Sequence, residues 1–416
     1  MRITLINQFY PPDLSPTARL AASLASHRAA LGDEVTVIAG CGYSDRVHER
    51  CSPSRNGVVV QRAWNSRMGR SSHWRRCVDY GAFAACAAWR VARLPRQDLL
   101  ICLSTPPFVG TLGVLHKLLH RETRLILWSM DCYPEVIERA GMITPDGPVS
   151  RGLQLWNRLL ARRTDHVVCL DEAMRTLVLS RHDNGTYPSE ISVLPNWEAI
   201  DDYSTMRRNR NYDALTDGKF VVLYTGNLGY GHTVDTILHA AERWKLQGDA
   251  VQVVFTGGGV QVDAVHSEVR RKQLRNVCML GHVSEDRVQD LQRAAGVSLV
   301  TLKDEMLGVM CPSKLHASLA VGTPVAYLGP RGGNVDEAVN RFDCGVSLRN
   351  GDVDGLVDFV ERLRSQPLVH AGYRRRARRA FEDAYCDRKT LPVFDHIIDE
   401  CVRPVDQSDG KRRSAA

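Results

Sequence analysis

The chain has 416 residues, of which 44% are hydrophobic and 24% charged, with a net charge of +7. That length is more than one core supports and predicts two domains of a folded globular protein. No run reaches the roughly 18 consecutive apolar residues of a membrane-spanning helix, because 80–92 and 98–119 are broken by Arg90, Pro106, Pro107 and Lys117.

From the first residue, short apolar runs alternate with helical ones. RITLINQFY (2–10) reads as a strand, 15–32 as a helix stopping at Gly32, and EVTVIAG (34–40) as the next strand. Strands follow at 98–104, 124–130 and 166–171, with helical stretches between them. The pattern restarts after residue 200, with strands in 219–229, 250–259, 277–283, 297–302 and 344–352 and helices at 233–247, 260–274 and 285–295. Buried strands joined by helices imply parallel sheets covered on both faces, here two doubly wound α/β units. The polar stretch 193–218 is the linker. No fixed repeat period is present, which excludes solenoids and propellers.

The twelve cysteines are scattered, several in apolar runs, and none forms a CxxC pair. They read as free thiols in a reducing compartment, so the expected location is cytoplasmic. Residues 67–96 mix arginines with Trp74, Tyr80, Phe83 and Trp89 on a helix. Such a segment suits an anionic bilayer surface, and equally an ordinary domain helix with a solvated basic edge. The basic residues are otherwise spread, which argues against a nucleic-acid partner. The tail from 403 is polar and reads as disordered.

Ligands of doubly wound domains bind at the carboxyl ends of the strands. Three such ends in the second half hold unusual chemistry. YTGNLGYGHTVDTI (224–237) and FTGGG (255–259) put glycines between a buried strand and a helix, where backbone amides can approach an anion. CPSKLHASLAVGTPVAYLG (311–329) sets Lys314 at a helix start, against the helix dipole, as if an anion binds there. In the first half, Asp131 ends a strand and either orients a hydroxyl or caps a turn before Pro134.

The order YTGNLG, FTGGG, LGHVSEDRV, PSKLHASLAVGTPV and CGVSLRNGD resembles glycosyltransferase family 4 of the GT-B fold. It is most similar to the bacterial branch of exopolysaccharide, O-antigen and colanic-acid assembly. NQFYPP (7–12), STPPF (104–108), MDCYPEVIERAGM (130–142) and VLPNW (193–197) agree with that resemblance, which covers the chain to about residue 400.

The resemblance implies an acceptor-binding Rossmann-like domain at 1–197 and a nucleotide-sugar-binding one at 198–384. It further implies a helix at 385–402 packing back on the first domain, before the 403–416 tail. The implied reaction is transfer of a hexosyl or N-acetylhexosaminyl group, with retention, from a UDP- or GDP-linked sugar to a lipid-linked saccharide. Neither cofactor nor metal is implied, and the enzyme would lie peripherally on the inner membrane face. Lys314 and Asp131 would be catalytic. Gly226, Asn227, Gly229, Gly257, Gly258 and Ser313 would join Lys314 in binding donor, with Asn7, Pro11 and Pro12 on the acceptor side. Many relatives carry two glutamates spaced Ex7E, the second contacting ribose hydroxyls; here the second position holds Ala317, and the first falls near Val309, with Glu305 upstream. His232 stands where many relatives have Arg or Lys. A nucleotide-sugar 2-epimerase and a non-catalytic nucleotide-sugar-binding homologue share these features.

Overall fold

The computed structural model describes residues 1–13, 15–41, 51–53, 57–64, 73–181, 190–200 and 218–403. Residues 65–72, most of the linker and the tail beyond 403 lie outside them.

The first sheet comprises β1 (Arg2–Ile6), β2 (Glu34–Gly40), β3 (Cys51–Pro53), β4 (Val58–Ala63), β5 (Leu99–Leu103), β6 (Arg124–Trp128), β7 (His166–Cys169) and β8 (Glu190–Val193). Its spatial order is β3-β4-β2-β1-β5-β6-β7-β8, parallel except at the β3–β4 edge. The second sheet holds β9 (Phe220–Thr225), β10 (Val251–Thr256), β11 (Val277–Met279), β12 (Val297–Thr301), β13 (Val325–Leu328) and β14 (Gly345–Leu348). Its order is β11-β10-β9-β12-β13-β14, parallel throughout. The two doubly wound units implied by the alternating runs are present. The run Val58–Ala63, unassigned from sequence, is a strand beside β2.

The central strands are apolar on both faces because helices cover both: β5, β10 and β12 are buried at every position. In each sheet the chain lays down one side, then returns to the other. The reversal falls between β1 and β5 in the first sheet and between β9 and β12 in the second. Those two points are the crevices where such sheets take ligands.

The last helix, Asp387–Val402, leaves the second unit and packs on the first. Asp395 accepts from Arg28 Nη1 at 2.9 Å and from His27 Nε2 at 2.7 Å. Phe394 is fully buried with its edge on Trp128, centroids 4.9 Å apart, and Trp128 stacks on Trp197 at 5.3 Å. Two covalent crossings therefore join the units, and they bond to each other. The Glu198 amide donates to the Tyr385 carbonyl (3.1 Å) and the Asp387 amide donates to that of Glu198 (3.0 Å).

Phe394→Ala is expected to lower the unfolding free energy by about 3–5 kcal/mol, the usual cost of emptying a buried aromatic position. Val393→Ala, on the exposed side of the same helix, should change it by less than about 0.5 kcal/mol. Urea denaturation of the two variants checks both.

Candidate active site

The second sheet's switch point collects the three sequence features in one place. The β9 and β10 glycine turns are layered on each other. Gly226 N–H donates to Thr256 O (2.8 Å), Leu228 N–H to Gly258 O (2.7 Å) and Gly257 N–H to Gly281 O (2.6 Å). Gly257 has φ +117°, and a Cβ there would lie 2.3 Å from the Gly226 carbonyl oxygen, so no larger residue fits between the turns.

The Gly226 amide is thus engaged in holding the two turns together, and that of Gly257 is bonded to Gly281, beyond β11. Among the described residues, the backbone N–H groups of Asn227, Gly229 and Gly258 have no partner and stay open to a ligand. Gly226 instead makes room for a side chain: it has φ +98°, and its Cβ would sit 3.3 Å from Lys314 Cε.

Lys314 follows β12 and lies beside the β9 turn. Its ammonium is 4.8 Å from the Tyr224 ring centroid and 3.1 Å from His232 Nε2. The other ring nitrogen of His232, Nδ1, is 2.6 Å from the Thr301 carbonyl oxygen, so Nδ1–H must donate there. The hydrogen-bond network thereby assigns Nε2 as the acceptor for Lys314. Burial, then the nearby ammonium, pulls the His232 pKa down to about 3. The ring therefore stays neutral and keeps its lone pair for Lys314. From sequence, His232 reads only as a substitute for a basic residue; its pinned tautomer is visible only in three dimensions.

Lys314 itself is half-buried, and desolvation lowers its pKa to about 7. No carboxylate pairs with it among the described residues. An ammonium so placed lacks a counterion, which a bound anion would supply. Ser313 precedes it, half-buried, with its carbonyl facing His316 Nδ1 at 3.3 Å.

Across the cleft, the switch point of the first sheet is shaped by β1 and β5. Asn7 is buried, and its side-chain amide donates to the carbonyls of Phe9 (2.6 Å) and Thr17 (3.3 Å). Pro11 and Pro12 are exposed on the loop that Asn7 holds. Arg62 secures the same loop from below through the carbonyls of Tyr10, Gly40 and Pro11. Ser104 Oγ accepts from the amides of Met130 (2.8 Å) and Asp131 (3.1 Å), which fixes the backbone that presents Asp131. Burial raises the Asp131 carboxyl to about 6. Glu135, four residues on, is committed to a two-point ion pair with Arg181 at 2.5–2.7 Å and is structural.

The segment 303–311 brings Asp131 and Lys314 into one neighbourhood, which no sequence signal indicated. Met310 pairs with Asp131 as an isolated antiparallel bridge, and Cys132 N–H donates to Val309 O at 2.8 Å. Met310 also lies against Gly231, where a Cβ would meet its sulfur at 2.4 Å. Asp171 closes the contact, its Oδ2 accepting from Asn334 N–H (3.0 Å) and from Cys311 Sγ (3.2 Å). Val309 is fully buried and uses its carbonyl in this contact.

The class so defined is a two-unit α/β protein with an uncompensated cation beside layered glycine turns, and with the backbone of a buried carboxylate residue bridged to the segment that leads to that cation. Residues 17–197 match the Glycosyl transferase 4-like domain family and residues 206–380 match Glycosyl transferases group 1. The chain belongs to these families and is a GT-B glycosyltransferase. It is 22% identical to the protein named probable glycosyltransferase WbjE of Pseudomonas aeruginosa, over 67% of this chain and 68% of that one. It is 24% identical to WcaI of Escherichia coli K12, named for colanic acid biosynthesis, over 77% and 82%. The fold is similar to that of Anabaena HepE in complex with UDP-glucose, with a TM-score of 0.70, 15% identity and coverage of 96% and 100%.

Amine labelling across pH, read by peptide mass spectrometry, should place the Lys314 midpoint at about 7. Exposed lysines should react only as pH nears roughly 10. A Lys314 midpoint near theirs would remove the desolvated ammonium.

Proposed function

We propose that this enzyme moves a sugar, with retention, from a UDP- or GDP-linked donor to a lipid-linked saccharide in cell-surface polysaccharide assembly. The carrying observation is the uncompensated Lys314 ammonium between the β9 turn and His232. A departing nucleoside diphosphate gains negative charge in the transition state, so a fixed cation there stabilises that state more than the ground state. The open amides of Asn227 and Gly229 approach the diphosphate with Ser313 and Lys314, while Gly257 and Gly258 line the nucleotide side. Asp131 faces the sugar and acceptor from the other unit, with Pro11 and Pro12 at the acceptor's entrance. HepE, of similar fold, binds UDP-glucose, and WcaI's name supports the polysaccharide setting.

The donor is identified by thermal-shift screening of nucleotide sugars, since a ligand binding only the folded state raises its stability. Lys314→Ala should then lower kcat by at least roughly tenfold. Unchanged kcat and KM in that variant would overturn the assignment. An epimer formed from donor alone would replace transfer by 2-epimerisation, whereas donor binding with no transfer to any lipid-linked acceptor would leave a binding protein.

The pH dependence has a definite sign. If ionised Asp131 is the working form, kcat/KM rises as pH passes about 6. It falls again as Lys314 loses its proton at about 7. Bound diphosphate favours the charged ammonium, so the alkaline limb of kcat should lie at higher pH than that of kcat/KM. Coincident limbs would mean that no anion reaches Lys314.

A further inference from the structure

The helix Pro148–Ala161 turns an apolar stripe outward, although its sheet offers a core to pack against. Val149, Gly152, Trp156 and Leu159 recur at helical spacing with Leu155 beside them, and all are exposed. The exposures of Val149, Leu155 and Leu159 are 61%, 57% and 50%. On the neighbouring helix, Gly110–Leu119, Leu118 and Leu119 are exposed to a similar degree. Trp156 is held between the two helices, its indole N–H donating to Thr111 Oγ1 at 3.1 Å. At the helices' other ends, Lys117 donates to the Arg163 carbonyl at 3.0 Å. An apolar face of this extent on a surface helix marks an interaction site.

The charges identify what covers it. Arg151, Arg158, Arg162 and Arg163 are exposed, and 148–163 contains no acidic residue. None of these arginines is in an ion pair among the described residues. An apolar stripe bordered by unpaired cations on a convex helix suits a flat anionic surface, with side chains in the acyl boundary and guanidinium groups at the phosphates. The basic helix His73–Val91 suits that surface less well, since Arg93 already stacks on one face of its Trp89 ring, 3.9 Å from the centroid.

We propose that this helix, with Leu118 and Leu119, is the face by which the enzyme lies on a bilayer containing anionic lipid. The position serves the cleft. The Asn157 side chain donates to the Tyr133 carbonyl, two residues from Asp131, so the docking helix is tied to the segment that presents the acceptor-side carboxylate. The inference rests on the membrane-borne acceptor proposed above and deepens it.

The test uses the full chain with sedimenting vesicles of phosphatidylglycerol and phosphatidylcholine, against vesicles of phosphatidylcholine alone. The wild type should partition to the anionic vesicles. Leu155→Glu with Leu159→Glu should reduce that partition at least roughly tenfold. Arg158→Gln with Arg162→Gln should weaken it and flatten its salt dependence. Thermal unfolding matching the wild type shows that these surface variants are folded. Equal binding of the wild type to both vesicles, or undiminished binding by both variants, overturns the proposal. So does a wild-type dimer in sedimentation velocity that the leucine variant dissolves, because the stripe would then cover a second copy. Vesicle binding that meets these expectations without sugar transfer leaves the docking face standing and removes the transferase reading.

Discussion

The site is organised around one electrostatic constraint: a lysine ammonium withdrawn from water with no carboxylate to answer it. Its neighbours are a ring face, a neutral imidazole lone pair and a glycine with no side chain. All three tolerate a cation without cancelling its charge. An ion pair at this position would already be neutralised, with little left for a ligand. The β9 and β10 turns, engaged largely with each other, contribute rigidity first and donors second. The cation is therefore preorganised toward whatever enters the cleft.

Lys314 is not positioned by one unit alone. Segment 303–311 reaches from β12 to the first sheet and lies along Asp131, Cys132 and Asp171 before the chain turns into Lys314. The residues that present the carboxylate and those that present the ammonium thus share a backbone contact. Movement of one unit relative to the other must break or shift that contact, so cleft geometry and the distance between the two charges change together.

The architecture was largely legible because buried parallel strands write themselves as short apolar runs between glycine-rich turns. The strand Val58–Ala63 was not, since exposed Val59 and the polar Gln61 and Arg62 interrupt its apolar run and weaken that signature. At the site, the glycines and Lys314 could be read from residue type and place after a strand. The pairing of Lys314 with His232 could not, because it depends on residues 82 apart and on which imidazole nitrogen holds the proton. Which amides remain open was likewise hidden: sequence shows where glycines lie, and only the layered turns reveal that Gly226 and Gly257 have theirs engaged.

The last helix has a consequence for recombination between relatives. Because Asp387–Val402 completes the core around Trp128 and Trp197, the second unit is an insertion within the first, and no simple tail. A chimera made by joining the front of one homologue to the back of another would graft a foreign Phe394 onto a native tryptophan pair. Exchange would have to cut twice, near Glu198 and near Cys386, where the two backbones run side by side. Lineages that shuffle this unit should therefore show paired breakpoints at those places.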